Sequence, residues 1–385
     1  MSARRRRLLL LLAGAIVLVA AVVAVTLAVF GKEEGGGGKR KVATGPRPGD
    51  VLSTADTPGF AAPDPQAVAD YWTPERIASA KPYPRLPGTG AASRRPVNDE
   101  VTPHEMPGVR PPGASIAPIP PVPRVAGAFP EVRGYPYRAY RWKGGFSKLP
   151  ARVHGKVIFC DPSEGACNDP NHNPWVCSGT VINTTNRSVV ITAGHCVYNN
   201  ETKTWMQNWS FYPGYKRGKH PRYGVWPSRN LWTTTEWQQG NDKFDIGAAV
   251  LVTSGTQTIM DFVGAEGWQT GAVSDPGRSR VRLWGYPLSI ATRGGRTRDY
   301  RDLRVCEARQ GRRSRASEGA GPNPYAVGCD MLGGSSGGGW VENYSDRLGW
   351  GKVFSVNSSG PDDKPLMYGP VFGRRALSLI DDAGK

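Results

Sequence analysis

The second half of the chain contains short runs of β-forming residues that are separated by turn-forming residues. Six such runs are GKVIFC, SGTVIN, RSVVITAG, DIGAAVLV, RVRLWGY and WGKVFSV, with glycine, proline, asparagine or aspartate between them. Runs of this length and spacing are typical of all-β sandwiches and barrels. Roughly 250 residues are too many for one small barrel and suit two packed barrels. We therefore predict a single all-β domain over residues 135–385.

The N-terminus has a charge and hydropathy pattern that predicts export. Arg4–Arg7 precede an uncharged run, Leu8–Phe30, which is 23 residues long. A membrane-spanning helix needs about 20 apolar residues, whereas the apolar part of a secretory signal has only about 7–15. The arginines favour the cytoplasmic side, which places everything after this run across the membrane. We predict a signal peptide or signal anchor over residues 1–31, and an extracellular domain that is secreted or membrane-anchored.

Residues 32–134 have the composition of a linker. The glycine-rich stretch GKEEGGGGKRK lies at its start, and the proline-rich stretch RPPGASIAPIPPVPR is typical of extended polyproline structure. The residues between them include few apolar runs that could offset the entropy lost on ordering. We expect a disordered, low-complexity tether or propeptide, with at most a short helix over residues 65–80.

Cysteine usage and net charge limit the possible partners. All six cysteines lie between Cys160 and Cys329, and an even number of cysteines in an exported chain indicates disulfides. There is no CxxC pair and there are only five histidines, so we expect neither a metal site nor a cofactor. The net charge is +17 without a nucleic-acid-binding motif, which predicts a solvated basic surface and no specific nucleic-acid partner.

Three separate stretches carry side chains that together can perform nucleophilic catalysis. VVITAGHCV places His195 just past a buried strand, where an imidazole can project into a cleft. In FDIGAAVL, Asp245 precedes an apolar strand and can accept a proton from an imidazole. In GGSSGGGW, glycines flank Ser336 and allow backbone N–H groups to converge on one point, as an oxyanion requires. Taken singly, each has an ordinary explanation: a core histidine, a turn aspartate and a flexible loop.

The order His195, Asp245, Ser336 in the contexts TAGHC, DIGAAVL and GSSGG resembles the trypsin-like serine peptidases of the chymotrypsin fold. Over roughly residues 150–385 the chain is most similar to the bacterial V8-like glutamyl endopeptidases. The resemblance implies two packed six-stranded β-barrels. A C-terminal helix follows them, as the apolar spacing in FGRRALSLIDDAG also predicts. The resemblance further implies an exported serine endopeptidase that cleaves protein or peptide substrates through an acyl-enzyme. We expect a monomer.

The resemblance gives each candidate residue a role. His195 is the general base, Asp245 orients it, and Ser336 is the nucleophile that His195 deprotonates. The backbone N–H groups of Gly334 and Ser336 form the oxyanion hole. Asp242 and Asp261 compete for the role of Asp245, but neither precedes an apolar strand.

The resemblance also implies how the cysteines pair. The chymotrypsin group bridges two cysteines across the active-site loop, and the matching positions here lie in CSGTVI and beside His195. The remaining cysteines would then brace the loop before Ser336 and close a short hairpin. The three expected disulfides are Cys177–Cys196, Cys306–Cys329 and Cys160–Cys167.

Three positions depart from the family patterns. Ser335 stands where animal trypsins have the aspartate that pairs with a newly cut N-terminus, which argues against that mode of activation. Asn357 stands where glutamyl enzymes have a pocket histidine. Asp330 lies six residues before Ser336, the offset of trypsin's pocket-floor aspartate, which would favour arginine or lysine substrates; alternatively, Asp330 caps a turn. We keep Asp330 and Asn357 as candidate pocket residues and leave the substrate preference open.

A catalytically silent binding module that keeps the protease fold at the cell envelope is the alternative function. The complete set of His195, Asp245 and Ser336 argues against it, because modules that lose catalysis tend to lose one member.

Overall fold

The computed structural model describes residues 49–58, 60, 64–84, 97–119, 138–169, 171–217, 222–271, 280–292, 295–297, 302–309, 320–361 and 365–385. The predicted N-terminal signal or anchor, residues 1–31, lies outside these ranges. Among the described residues, no helix is long and apolar enough to cross a membrane.

Strands dominate the described part of the chain, and the few helices are short. The strands are β1 (Val51–Ser53), β2 (Lys81–Pro82), β3 (His104–Met106), β4 (Tyr140–Arg141), β5 (His154–Cys160), β6 (Trp175–Val181), β7 (Val189–Thr192), β8 (Tyr198–Asn199), β9 (Thr204–Trp205), β10 (Gln207–Pro213), β11 (Trp226–Thr234), β12 (Gly247–Leu251), β13 (Gly267–Thr270), β14 (Arg280–Gly285), β15 (Ile290–Thr292), β16 (Gly295–Thr297), β17 (Arg304–Arg309), β18 (Tyr325–Gly328), β19 (Gly339–Ser345), β20 (Trp350–Val356) and β21 (Leu366–Gly369). The α-helices are α1 (Pro65–Tyr71), α2 (Pro74–Ser79), α3 (Thr235–Gln238), α4 (Ile259–Val263) and α5 (Arg374–Ala383). The all-β class is therefore confirmed.

The first half of the domain forms a closed six-stranded antiparallel barrel. Its strands are hydrogen-bonded in the order β11–β10–β5–β6–β7–β12, and β12 pairs with β11 to close the ring. The runs GKVIFC and SVVIT supply β5 and β7, whose residues are all buried. Valine and isoleucine suit such strands because their branched side chains pack well on a pleated surface.

The second half contains a seven-stranded sheet in the order β3–β13–β20–β19–β14–β17–β4. Strands β18 and β21 pair only with each other. Within the described residues this half is therefore an open sheet plus two two-stranded sheets, β15–β16 and β18–β21. Its hydrogen-bonded ladder does not close as that of the first barrel does. The architecture of two β halves is as predicted, and only the first shows a complete ring.

The predicted C-terminal helix is α5. The residues expected to face the core, Leu377, Ile380 and Ala383, are buried. They recur every three residues, so they lie along one side of the helix. The helix contacts β11, β12 and β13 and so packs against strands of both halves.

The described parts of residues 32–134 differ from the disordered tether that we expected. Strand β1 pairs with β11, β2 with β6 and β3 with β13. Buried Asp50 forms an ion pair with Arg374, and Asp99 accepts a hydrogen bond from the backbone N of Arg375 at 2.8 Å. The prediction from composition was wrong for these residues because contacts with other parts of the domain order them. Strand edges of the domain supply the hydrogen bonds that two- or three-residue strands cannot supply themselves.

The six cysteines form three disulfides, and these are the three pairs that the resemblance implied. Cys177–Cys196 joins β6 to the turn after β7, and Cys306–Cys329 joins β17 to the residue that follows β18. Cys160–Cys167 closes a short loop at the end of β5.

Candidate active site

Strand pairing brings Asp245 opposite the turn that carries His195. Strands β7 and β12 are antiparallel, with Thr192 opposite Gly247. Residues that follow Thr192 therefore face residues that precede Gly247. His195 lies in a 3-10 turn just after β7, and Asp245 comes two residues before β12. The sheet thus fixes both backbones before any side-chain contact is made.

The carboxylate of Asp245 is completely buried and binds His195 twice. One oxygen accepts a hydrogen bond from the backbone N of His195, and the other lies 2.8 Å from its Nδ1. Because an ionised carboxylate can only accept, Nδ1 carries the proton and Nε2 is left with a lone pair. This is the tautomer that a general base needs. Nε2 is buried and has no hydrogen-bond partner among the described residues.

Ser358 also holds Asp245, and sequence reasoning missed it. Its hydroxyl donates to Oδ2 of Asp245 at 2.6 Å. The residue follows β20 at a distance of 113 residues from Asp245. Its only signal in the sequence is its place beside Asn357.

The loop that carries Ser336 is fixed to the same strand as the turn of His195. The carbonyl oxygen of Ser336 accepts a hydrogen bond from the backbone N of Ser178 on β6 at 2.7 Å. The preceding residue, Cys177, forms the disulfide with Cys196, which adjoins His195. Ser336 itself is partly exposed. The structure thus places all three candidate residues around β6 and the ends of β7 and β12.

The backbone around Ser336 provides unused hydrogen-bond donors. Gly334 has a φ of +95°, a conformation that favours glycine. The N–H groups of Ser335, Gly337 and Gly338 donate to backbone carbonyls. Within the described part of the chain, those of Gly334 and Ser336 have no acceptor. Two unused donors flanking a nucleophile are what stabilisation of an oxyanion requires.

The side chain of Asn357, one of the two candidate pocket residues, is engaged within the protein. Its side chain is fully buried. Its amide donates at 2.9 Å to the carbonyl oxygen of Ser335 and to a carbonyl oxygen on β14, and its Oδ1 accepts from Nε1 of Trp340 at 2.7 Å. Its backbone carbonyl accepts from the N of Gly337 at 2.7 Å. Asn357 therefore holds the loop on both sides of Ser336, and its polar side-chain atoms are all used within the protein.

We expect Asn357→Ala to lower kcat for a small acyl ester by about 10–100-fold and to change KM little, because it frees the loop that positions the nucleophile. It also removes the acceptor of the buried Trp340 Nε1–H group, which costs about 1–3 kcal/mol when left unpaired. Asn186→Ala is the matched control, since the Asn186 amide donates to the carbonyl oxygen of Ala383 on α5. Steady-state kinetics of the folded variants measure the effect. A change confined to KM would instead make Asn357 a pocket residue.

Asp330 is buried and engaged with a distant part of the backbone. Its Oδ1 accepts a hydrogen bond from the N of Ala139 at 2.7 Å. Burial raises the pKa of this carboxyl to about 6, against the opposing effect of the Ala139 N–H and of Arg304. The carboxyl group is therefore engaged with backbone N–H groups of the protein, including its own.

Asp330→Asn is expected to stabilise the protein above about pH 6. The pKa of Asp330 rises from its usual 3.8 to about 6 on folding, so between these values the folded state binds a proton that the unfolded state releases. Stability contributed by this group therefore falls as pH rises through that window. Asparagine keeps the acceptor for Ala139 without titrating, which predicts a gain of about 1–3 kcal/mol at pH 8 and little change near pH 4. Denaturant unfolding at both pH values measures the gain, and a loss of stability at pH 8 would contradict this account.

Two groups of cysteine and histidine side chains lie close together in the described part of the chain: Cys160, Cys167 and His172, and Cys177, Cys196 and His195. In each group the two cysteines are bonded to each other. Metal binding requires the free thiolate, so neither group offers a thiolate ligand.

Comparison with known proteins gives matches among solved structures alone. No family model and no curated protein sequence matches the chain. The protease Anisep from Arthrobacter nicotinovorans is 30% identical, with 62% of this chain and 97% of that chain covered and a TM-score of 0.49. The thermostable serine protease AL20 from an extremophilic microorganism is 28% identical, with coverage of 61% and 97% and a TM-score of 0.48. A Glu endopeptidase in complex with MPD is 15% identical, with coverage of 64% and 96% and a TM-score of 0.44.

The family follows from sequence identity together with the site already described. All three TM-scores lie below 0.5. The 30% identity to Anisep extends over 97% of that protein. This identity agrees with three features of the structure: the closed barrel, the His195–Asp245 hydrogen bond and the glycine-rich loop around Ser336. The chain belongs to the trypsin-like serine proteases of the chymotrypsin fold.

Proposed function

We propose that the protein is an exported serine endopeptidase that uses His195, Asp245 and Ser336 and passes through an acyl-enzyme intermediate. The observation that carries this proposal is the double hydrogen bond from His195 to the buried carboxylate of Asp245. It holds the imidazole in one tautomer and leaves Nε2 without a partner in the described structure.

The proposed reaction begins at Nε2 of His195, which takes the proton from the Ser336 hydroxyl as its oxygen attacks the substrate carbonyl carbon. Asp245 stabilises the imidazolium that forms. The N–H groups of Gly334 and Ser336 bind the oxyanion, and each such donor contributes about 10²–10³-fold in rate. His195 then donates the proton to the leaving amine, and the C–N bond breaks to give the acyl-enzyme. Water, deprotonated by His195, attacks the ester carbonyl carbon. The bond to Ser336 then breaks, its oxygen takes the proton back from His195, and the acid is released.

The compartment and the branch of the family are also proposals. Three disulfides suit an oxidising compartment, which agrees with the apolar run at residues 8–30 that we expect to direct export. We place the chain in the V8-like branch on the strength of Ser335 and the C-terminal GPVFGRRALSLI. Because Asp330 and Asn357 are both engaged internally, we propose that neither sets the primary substrate preference. One chain supplies all the proposed groups, so we propose a monomer.

Labelling of the full chain with a fluorophosphonate probe tests the proposed function. We expect a single adduct at Ser336, found by peptide mapping, and no labelling of Ser336→Ala. Ser335→Ala is the matched control, since its hydroxyl donates to the carbonyl oxygen of Leu332 at 2.9 Å and has no proposed role in catalysis. Failure to label the folded protein would favour the silent binding module.

A further inference from the structure

Residues 81–84, Lys-Pro-Tyr-Pro, lie against the candidate active site, and we call them the strap. Strand β2 pairs in parallel with β6. The backbone N of Lys81 donates to the carbonyl oxygen of Pro174 at 2.9 Å, and the N of Tyr83 donates to that of Val176 at 3.4 Å. The strap is thus attached to the strand that also holds the Ser336 loop.

The strap contacts both sides of the site. The ring of Tyr83 lies nearly parallel to the imidazole of His195, at an interplanar angle of 11° and a centroid distance of 6.3 Å. Pro82 packs against Gly333 in the loop that carries Ser336, where an added Cβ would lie 2.7 Å from Cβ of Pro82. The strap therefore reaches from the barrel, past His195, to the nucleophile loop.

Tyr83 anchors the strap firmly. Only 5% of the residue is exposed, and its hydroxyl donates to Oδ2 of Asp161 at 2.6 Å. Its ring makes edge-to-face contacts with Phe159 and Trp175, at centroid distances of 5.3 and 5.4 Å. Burial raises the pKa of the Tyr83 hydroxyl, which therefore stays protonated and remains a donor to Asp161. The strap is a fixed part of the described structure.

Its position bears on what can follow the scissile bond of a substrate. In the proposed reaction the leaving group receives its proton from Nε2 of His195, so the chain beyond the scissile bond must pass the imidazole. Here His195 is 2% exposed. The ring of Tyr83 lies nearly parallel to its imidazole, and Pro82 packs against Gly333. We infer that the strap narrows the part of the active site that holds the leaving group; this inference rests on the proposed function. The full chain then favours acyl substrates with a short leaving group, and it cleaves peptides that continue past the scissile bond only when the strap is displaced.

Lys81→Pro and Lys81→Ala in the full chain form a matched pair. Proline removes the N–H that bonds Pro174, whereas alanine removes only an exposed side chain. The preceding residue, Ala80, has a φ of −54° and a ψ of 133°, which a following proline tolerates. Tyr83→Phe is a second variant: it keeps the ring and loses the hydrogen bond to Asp161. Circular dichroism checks the fold of each.

Two substrate pools separate the strap from the chemistry. One contains internally quenched decapeptides of randomised sequence, and the other contains methyl esters of peptides that end at the scissile position. Lys81→Pro should raise kcat/KM for the decapeptides by about 10-fold or more, because the state in which the strap covers the leaving-group side is less populated. The kcat/KM for the esters should change by less than about 3-fold. Tyr83→Phe should also raise the ratio of kcat/KM for the decapeptides to kcat/KM for the esters, and Lys81→Ala should leave this ratio unchanged.

Fluorophosphonate labelling of the same proteins separates the two possible failures. Labelled, folded proteins whose ratio is the same in Lys81→Pro and the unchanged chain would overturn the role of the strap and leave the proposed function standing. Absence of both labelling and ester turnover in every variant would overturn the proposed function, and this inference with it.

Discussion

Ser336→Ala is expected to lower kcat for a small acyl ester by about 10⁴–10⁶-fold, His195→Ala to do the same, and the double variant to lose no more than either alone. The reason is that neither group acts without the other. The hydroxyl of Ser336 is a weak nucleophile until Nε2 of His195 removes its proton. The later proton transfers through Nε2 act only on intermediates that Ser336 has formed. The residual rate comes from substrate binding and the oxyanion donors.

Active-site kinetics of the three variants, with circular dichroism as the fold check, measure these losses. Ser335→Ala is the control within the same loop, and we expect it to retain most of its activity. Additive losses in the double variant would show that Ser336 and His195 act separately. Substantial turnover by folded Ser336→Ala would show that Ser336 is not the nucleophile.

Asp245→Asn should lower kcat by about 10⁴-fold with the fold intact. The amide of asparagine is a donor where Nδ1 of His195 now donates, so the imidazole would carry its proton on Nε2 instead. In that tautomer Nε2 cannot accept the proton of Ser336. The hydroxyl of Ser358, which donates to Oδ2 of Asp245, would also lose a charged acceptor.

The two competing carboxylates provide the controls for Asp245. Asp261 forms a capping box with Thr258 at the start of α4 and an ion pair with Arg187. Its replacement by asparagine should cost about 0.5–1 kcal/mol of stability and leave kcat unchanged. Asp242→Asn should also leave kcat unchanged, because the aspartate bonded to Nδ1 of His195 is Asp245. A larger kcat loss at either control than at Asp245 would contradict the assignment.

The sequence predicts what depends on local pattern. The runs of β-branched residues identify four of the six strands of the first barrel, β5, β6, β7 and β12, but not β10 and β11. The three-residue spacing of Leu377, Ile380 and Ala383 identifies α5. The contexts of His195 and Asp245 imply their meeting only through the resemblance to the trypsin-like family. Each residue adjoins a strand, and the structure shows that the two strands pair.

What the sequence did not predict depends on partners far along the chain. Strands β1 to β3 are ordered by edges that other parts of the domain supply. The contact of Ser358 with Asp245 spans 113 residues and leaves no pattern. Asn357 and Asp330 became pocket candidates only because their positions match pocket positions in the family patterns. Burial and hydrogen bonding to remote backbone groups instead give both an internal role, which register does not encode.

The acyl-enzyme itself is the most direct test of the central claim, that Ser336 is the nucleophile of a covalent mechanism. The full chain would be mixed with an excess of an activated acyl ester, quenched at successive times from the first turnover onward, and mapped by mass spectrometry. We expect a burst of alcohol close to one equivalent per chain and the acyl group on Ser336. We also expect loss of both in Ser336→Ala. Turnover without a burst, or an acyl group found on another residue, would contradict this claim.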